Sequence, residues 1–214
     1  MSTQVHDLFY HKDELFELTA SSGELANIYS LLGYRPARMS TACGRGFIAG
    51  YEILDNTVAL GYLETINVLS FGGGPGSKMD FFEPIPVNNV QPIITEEEFI
   101  KERDPNTPYR KVEYQDIALK LCFTGTIVIG DNKVWNRWGD FQLPWQYENV
   151  LELHFENGVF IKEIDLSTLV LHIREKDEKA MENEVIALNE SLYADKMVKN
   201  REQVFGDWLH GVYR

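Results

Sequence analysis

The strongest constraint on the fold lies in residues 150–166. Leu151, Leu153 and Phe155 alternate there with polar side chains, and the alternation stops at Asn157-Gly158. A period of two is typical of a β-strand with one buried face, and Asn-Gly is a preferred two-residue turn between antiparallel strands. Apolar residues return at alternate positions after the turn. The segment therefore predicts a β-hairpin, and the chain must bury the apolar face of a sheet.

Two further segments carry a similar pattern. Residues 47–64 predict a second hairpin around Asp55-Asn56, since Asp and Asn tolerate the left-handed backbone that tight turns need. Residues 117–129 predict a third strand, in which Gly125 marks a bulge or a close approach of the backbone. We therefore expect an α+β fold that is mainly β, whose antiparallel hairpins form a meander, a sandwich or a barrel-like core.

Helices are predicted at two places. Thr95 and Glu98 have the spacing of a capping box, which predicts a short helix ending at Asp104-Pro105. Near the C-terminus, apolar residues recur at the spacing of one helix face and predict a helix over about residues 175–198. The residues of this stripe are Met181, Val185, Leu188 and Leu192. We expect the stripe to dock on the β-rich part of the chain, and the alternative is that it pairs with a second copy to form a homodimer.

The length fits one domain over residues 1–214. We expect a β-rich body over about residues 1–173 and a C-terminal helical segment over about 174–214. Residues 71–92 are rich in Gly and Pro and are predicted to be a long loop within this domain. Their glycine cluster lacks the spacing and the following helix of a phosphate-binding loop.

The charge balance bears on the partners. Lys and Arg number 20 against 33 Asp and Glu, which gives a net charge of -13. Such a surface repels phosphate backbones and anionic lipid headgroups, so we expect neither a nucleic acid nor a membrane as partner. It suits the capture of a basic protein. No secretory signal and no apolar run of about 20 residues is apparent, and the sequence predicts a cytoplasmic protein.

Catalytic and metal-binding patterns are weak. Cys43 and Cys122 are too few for a disulfide scaffold, and we expect both to be buried, reduced thiols. His154 stands between Glu152 and Glu156 on one face of its strand, which we interpret as a solvated hairpin face rather than a metal site. No nucleophile motif is recognised. We therefore predict no catalytic residue, no metal and no cofactor, and we lean towards a protein that is not an enzyme.

Candidate binding residues fall into two groups. Trp135, Arg137, Trp138 and Trp145 form a dense aromatic cluster, which either stacks on a ligand or partner or plugs the mouth of the β-core. Arg45 lies just before the hairpin predicted over residues 47–64 and Glu52 lies within it, and we expect the two to form an exposed surface pair.

Several of these segments carry a resemblance. The run Arg45-Gly46-Phe47, the run Tyr51-Glu52-Ile53 and the residues from Phe123 to Gly130 resemble a family of small uncharacterised bacterial proteins, a domain of unknown function. The likeness also takes in Tyr147-Glu148 and extends over about residues 42–166. It implies a bacterial, cytoplasmic setting, and it carries over neither an activity nor any functional residue.

Two functions stay open at this point. We favour a non-enzymatic acidic binding protein of the immunity or accessory type, whose partner is a protein. The alternative is a small-molecule binding protein or enzyme with an aromatic-lined pocket in the β-core.

Overall fold

The computed structural model of the protein describes residues 5–39, 42–70, 80–95, 110–134 and 143–176. The chain divides into two compact units, Met1–His172 and Ile173–Arg214. Almost all of the described residues belong to the first unit, and the account below concerns that unit.

The first unit is built mainly from β-strands, which confirms the predicted fold class. One short helix, α1, covers Ile28–Leu32, a 3-10 turn covers Pro144–Gln146, and residues 167–176 are helical. The strands are β1 Leu8–His11, β2 Glu14–Ser21, β3 Phe47–Leu54, β4 Thr57–Ile66, β5 Val68–Ser70, β6 Asp80–Phe81, β7 Ile93–Thr95, β8 Lys111–Tyr114, β9 Leu119–Lys120, β10 Gly125–Lys133, β11 Tyr147–Glu156 and β12 Val159–Asp165. Among the described helices, none is both long and apolar enough to cross a membrane.

The main sheet closes on itself. Its strands follow the order β12-β11-β10-β2-β1-β3-β4-β8-β7, and β12 also pairs with β4. Seven strands, from β12 round to β4, therefore form a ring, which corresponds to the barrel-like arrangement among the three predicted. Neighbouring strands of the ring are antiparallel, except that β1 and β3 run parallel. The strands β8, β7 and β9 extend the sheet from β4.

The two predicted hairpins are confirmed as β3–β4 and β11–β12. Their turns meet where the ring closes. The amide of Val58 donates a hydrogen bond to the carbonyl of Gly158 over 2.8 Å, and the amide of Phe160 donates to the carbonyl of Asn56 over 2.9 Å. Asn56 has a φ of 61° and Gly158 a φ of 84°, which is the left-handed backbone expected of such turns.

The apolar faces of the ring strands pack into one buried cluster. Period-two alternation places every second residue of a strand on this side. Members of the cluster include Phe9, Phe16, Tyr51, Leu60, Leu63, Ile127, Ile129, Leu153 and Phe155. Ile28 and Leu32 of α1 are buried in the same cluster. The ring is therefore filled with side chains in its described part.

The prediction of one continuous strand over residues 117–129 is wrong. The structure has two strands there, β9 at Leu119–Lys120 and β10 from Gly125. Between these two strands, the amide of Leu121 donates a hydrogen bond to the carbonyl of Val58, and the carbonyl of Phe123 accepts one from the amide of Gly158. Gly125 has a φ of 152° and starts the second strand. The chain thus changes its sheet neighbour in the middle of a continuous apolar pattern.

Other predictions are met only in part. Thr95 is the last residue of β7, and the helix predicted after it lies outside the described residues, as does the stripe at residues 181–192. The C-terminal helix begins at residue 167, earlier than predicted, where the amide of Ser167 donates to the carboxylate of Asp165. The predicted loop over residues 71–92 contains β6, which pairs with β5.

Candidate functional site

The structure describes one of the four residues in the predicted tryptophan cluster. Trp145 lies in the 3-10 turn and is 3% exposed. Trp135, Arg137 and Trp138 lie outside the described residues. The binding role of this cluster therefore stays a prediction.

Arg45 pairs with Asp7, and the predicted pair with Glu52 is wrong. Two guanidinium nitrogens of Arg45 donate to the two carboxylate oxygens of Asp7 over 2.7 and 3.0 Å. The amide of Ala49 donates a further hydrogen bond to Asp7 over 2.8 Å. Because a strand rises about 3.3 Å per residue, Arg45, just before β3, is too far from Glu52, near the end of β3, to contact it. The ion pair instead ties the start of β3 to the residue before β1.

The carboxylate of Glu52 lies on the outer face of β3, away from Arg45. Tyr51 belongs to the core, so Glu52 projects from the opposite, outer face of β3, where it is half-buried. Its Oε1 lies over Gly61, an extra residue of β4 at the bulge, and a Cβ at Gly61 would come within 2.6 Å of it. Within the part of the chain that the structure describes, the side chain of Glu52 makes no hydrogen bond and no ion pair.

An exposed apolar pair lies beside Glu52. Phe9 and Phe16 face each other in the core, so the next pair along the β1–β2 hairpin, Tyr10 and Leu15, projects outward. Tyr10 is 49% exposed and Leu15 is 54% exposed. Tyr10 is also aligned with Glu52 in the parallel pairing of β1 and β3. An aromatic and an aliphatic side chain thus adjoin a carboxylate for which the described part of the chain supplies no partner.

Glu17 completes this surface, which we call the Tyr10 face and which consists of Tyr10, Leu15, Glu17 and Glu52. Glu17 lies two residues after Leu15 and so on the same side of β2. It accepts a hydrogen bond from the hydroxyl of Tyr147 over 2.5 Å. Burial, together with this bond to a carboxylate, raises the pKa of Tyr147 well above its usual value, so the hydroxyl stays a donor. The contact fixes Glu17 on the outer side of the ring.

A cavity of about 220 Å³ lies between the N-terminal segment and the chain before β3. Its lining residues are Val5, His6, Asp7, Leu18, Ala42, Cys43 and Arg45. His6 Nδ1 lies 2.8 Å from the carbonyl of Leu18, and since a carbonyl only accepts, Nδ1 carries the proton. His6 Nε2 is buried and has no hydrogen-bond partner within the described ranges.

The cysteine of this cavity is a poor nucleophile. Cys43 is buried, whereas Cys122 is exposed, so the expectation of two buried thiols holds for Cys43 alone. Burial raises the pKa of the Cys43 thiol, and the hydrogen bonds at its sulfur and the nearby Arg45 offset this in part. The thiol donates to the carbonyl of Phe47 over 3.3 Å. Because the thiolate is the reactive form, this environment disfavours nucleophilic chemistry.

The solvated face predicted around His154 is wrong for Glu152. Glu152 is 1% exposed, and its Oε1 lies 2.5 Å from Nε2 of His154. Glu156 is exposed, as predicted. No group of three His, Cys, Asp or Glu side chains able to hold a metal ion exists among the described residues. The buried Glu152 and the partly exposed His154 form a hydrogen-bonded pair.

A second histidine–carboxylate contact joins opposite sides of the ring. Glu163 of β12 lies 2.6 Å from Nε2 of His11 on β1 and 2.8 Å from Nζ of Lys12. Burial raises the pKa of Glu163, but the hydrogen bonds from Lys12 and His11 outweigh it and hold this pKa below the ordinary value of 4.5. A carboxylate with a depressed pKa stabilises the folded state above its ordinary pKa, and that contribution is lost as the pH falls through the folded value.

The Glu163→Gln variant tests this contact. At pH 7 we expect the free energy of unfolding to fall by about 1 kcal/mol, because a charge-assisted acceptor is lost. The difference from wild type should shrink as the pH falls below 4.5, because Glu163 of the wild type then takes up a proton, first in the unfolded and then in the folded state. Urea unfolding at a series of pH values measures it, with Glu148→Gln on the exposed side of β11 as control. A difference that stays constant down to pH 2 would contradict the assignment.

No protein-family model, no curated protein and no solved structure matches this chain. Tyr10, Leu15 and His6 were all missed by the sequence reasoning. The hairpin that carries Tyr10 and Leu15 could have been found, because the turn-forming pair Lys12-Asp13 separates two short apolar segments, Leu8-Phe9-Tyr10 and Leu15-Phe16. His6 carried no such signal, since its cavity is formed by residues distant in the sequence.

Proposed function

We propose that this chain is a non-enzymatic acidic binding protein of bacterial, cytoplasmic origin, of the immunity or accessory type, and that its partner is a basic protein. The observation that supports this is the Tyr10 face. There the half-buried carboxylate of Glu52, which has no partner among the described residues, adjoins the exposed pair Tyr10 and Leu15.

Tyr10 and Leu15 supply the apolar part of such an interface. Tyrosine is enriched among the residues that dominate binding energies, because its ring buries a large area with few rotatable bonds. The pair lies on adjacent strands of a sheet, so its position is fixed before a partner arrives. Ordering these side chains therefore costs little free energy when a partner binds.

Glu52 supplies the charged part. It is already half removed from water by its contact with Gly61, so a Lys or Arg of the partner interacts with it in a medium less polar than bulk solvent. The net charge of -13 acts at longer range, where it attracts basic proteins and accelerates their association. In this proposal the net negative charge attracts basic proteins, and the carboxylate of Glu52 selects among them.

The double variant Tyr10→Ser, Leu15→Ser tests the proposal. The wild-type protein is immobilised at low salt, and a protein that it retains from lysate is identified and purified. Calorimetry then measures the Kd of the complex between this retained protein and the wild type or each variant. We expect the retained protein to be basic and its Kd to rise by ~100-fold in the double variant, since two central contacts are lost. The matched control is Ile161→Ser on β12, an apolar side chain 54% exposed elsewhere on the ring, and its Kd should stay within about twofold of wild type.

Glu52→Gln separates the charge from the apolar contact. It should raise the Kd by about tenfold at low salt and lessen the weakening of binding as salt is added. The proposal is wrong if no protein is retained, if the retained protein is acidic, or if the double variant binds it as tightly as wild type.

A further inference from the structure

The strand β7 lies at one end of the main sheet and carries an exposed apolar surface. It ends the strand order, and among the described residues it pairs with β8 alone. Its three residues are Ile93, Ile94 and Thr95, and all of them are exposed. Ile93 is 46% exposed and Ile94 is 38% exposed. Adjacent residues of a strand project from opposite faces, so both faces of β7 present an isoleucine to solvent.

The backbone of β7 has a side that β8 does not use. In an antiparallel pair, successive residues turn their amide and carbonyl groups alternately towards the neighbouring strand and away from it. The groups that point away form an edge on which a further strand can pair. Charged side chains on an edge strand commonly prevent such pairing, and β7 has none. Pro92 has no amide hydrogen, so this edge begins at Ile93.

The charge beside β7 favours a basic strand. Glu113 is aligned with Ile93, and the ammonium group of Lys111 lies 2.6 Å from Glu113 and 3.1 Å from Glu64. Two carboxylates thus share one ammonium group, and the hydrogen bond from Lys111 lowers the pKa of Glu113, which keeps it ionised at neutral pH. The sequence that follows β7 adds three more acidic residues, Glu96, Glu97 and Glu98. This charge attracts lysine and arginine and repels a second copy of the acidic chain.

We propose that β7 is a docking edge, to which another protein adds an extended segment of alternating basic and β-branched residues as a further strand. The β-branched side chains pack beside Ile94 on one face. On the other face, the stems of lysine or arginine lie along Ile93 and carry their charge towards Glu113. The added strand lies about 10 Å from β8, a distance that a lysine and a glutamate side chain span together. This surface is separate from the Tyr10 face, and the proposal does not rest on the function proposed above.

Three short peptides with blocked ends form a matched set of probes. The first is Lys-Val-Lys-Val-Lys-Val-Lys. The second has the same side chains and charge, but every internal backbone nitrogen is methylated, so it cannot donate to a strand. In the third, glutamate replaces each lysine. We expect the first to bind at least about tenfold more tightly than the other two, because it alone offers both backbone donors and positive charge.

NMR titration of the full-length protein at low salt measures the Kd, and the amide signals of β7 and β8 should shift. Ile93→Lys should raise the Kd of the first peptide by at least about tenfold, because it places a positive charge on the edge. Glu113→Gln should raise it by less and weaken its dependence on salt. The matched control is Ile161→Lys, which makes the same charge change at a side chain that is 54% exposed on β12. Its Kd should stay within about twofold of wild type.

Selective binding of the first peptide, lost in Ile93→Lys, supports the proposal, and the comparison of peptides on the wild type decides it should a variant fail to fold. Equal binding of the methylated peptide would show attraction by charge alone. No saturable binding, with every β7 amide protected from hydrogen exchange, would mean that this chain occupies its own edge. A dimer that Ile93→Lys dissociates in sedimentation would identify a second copy as the occupant. Each of these three results overturns the proposal. The Tyr10→Ser, Leu15→Ser variant should bind the first peptide as wild type does, so the two proposals fail separately.

Discussion

Replacing Gly158 with Val is expected to lower the free energy of unfolding by about 4 kcal/mol. Gly158 has a φ of 84°, and a β-branched residue forced into this backbone region costs about 1–3 kcal/mol. A Cβ at this position would also lie 2.1 Å from the carbonyl oxygen of Leu121. That oxygen belongs to the backbone, so it yields only if the chain moves.

The movement would disturb the closure of the ring. Gly158 accepts a hydrogen bond from the amide of Val58 and donates one to the carbonyl of Phe123. Gly23→Ala is the matched control, because a Cβ there would meet its nearest neighbour, the ring of Phe123, at an ordinary 3.8 Å. Urea unfolding should show a much lower midpoint for Gly158→Val and a midpoint close to wild type for Gly23→Ala. Equal midpoints for Gly158→Val and wild type would show that the turn is wrongly described.

His154→Ala is expected to destabilise the protein by about 3 kcal/mol. It removes the hydrogen-bond partner of Glu152, a carboxylate that is 1% exposed. A buried carboxylate without its partner typically costs 3–5 kcal/mol. We expect the lower end of this range, since His154 is itself partly exposed and its removal lets water approach.

The double variant Glu152→Leu, His154→Leu distinguishes this cause from a simple loss of packing. With both polar groups gone, no charge is left buried, and the free energy of unfolding should return to within about 1 kcal/mol of wild type. Glu156→Ala, at an exposed position of the same strand, is the control and should change stability by less than about 0.5 kcal/mol. A double variant as unstable as His154→Ala would contradict the proposed cause.

The hairpins were predictable because their signals are local. The Asn157-Gly158 turn and the alternation on either side of it lie within about twenty residues, and both act through backbone geometry that any chain shares. The same holds for the turn at Asp55-Asn56. Closure of the ring was not predictable, because it requires these two turns to meet although about a hundred residues separate them.

The polar contacts were harder to predict than the strands. Arg45 and Asp7 come together because β1 and β3 are parallel neighbours in the sheet. No pattern in the sequence predicts a parallel pair of strands next to a hairpin. Glu152 alternates correctly with apolar residues, and alternation normally places such a residue in water. The outer side of β10 and β11 is nevertheless covered, since Val128 and Val150 are buried there too. Alternation identifies the two sides of a strand but does not tell which of them meets solvent.

The pairing of β4 with β12 also constrains the order of events during synthesis. Thr57 emerges from the ribosome long before its partner, Val159, which belongs to the last strand of the sheet. Likewise β2 must wait for β10. The edge of β2 therefore stays unpaired until β10 has been made, and such an edge readily pairs with other chains. We therefore expect a chaperone that shields this edge until β10 is made to raise the yield of folded protein.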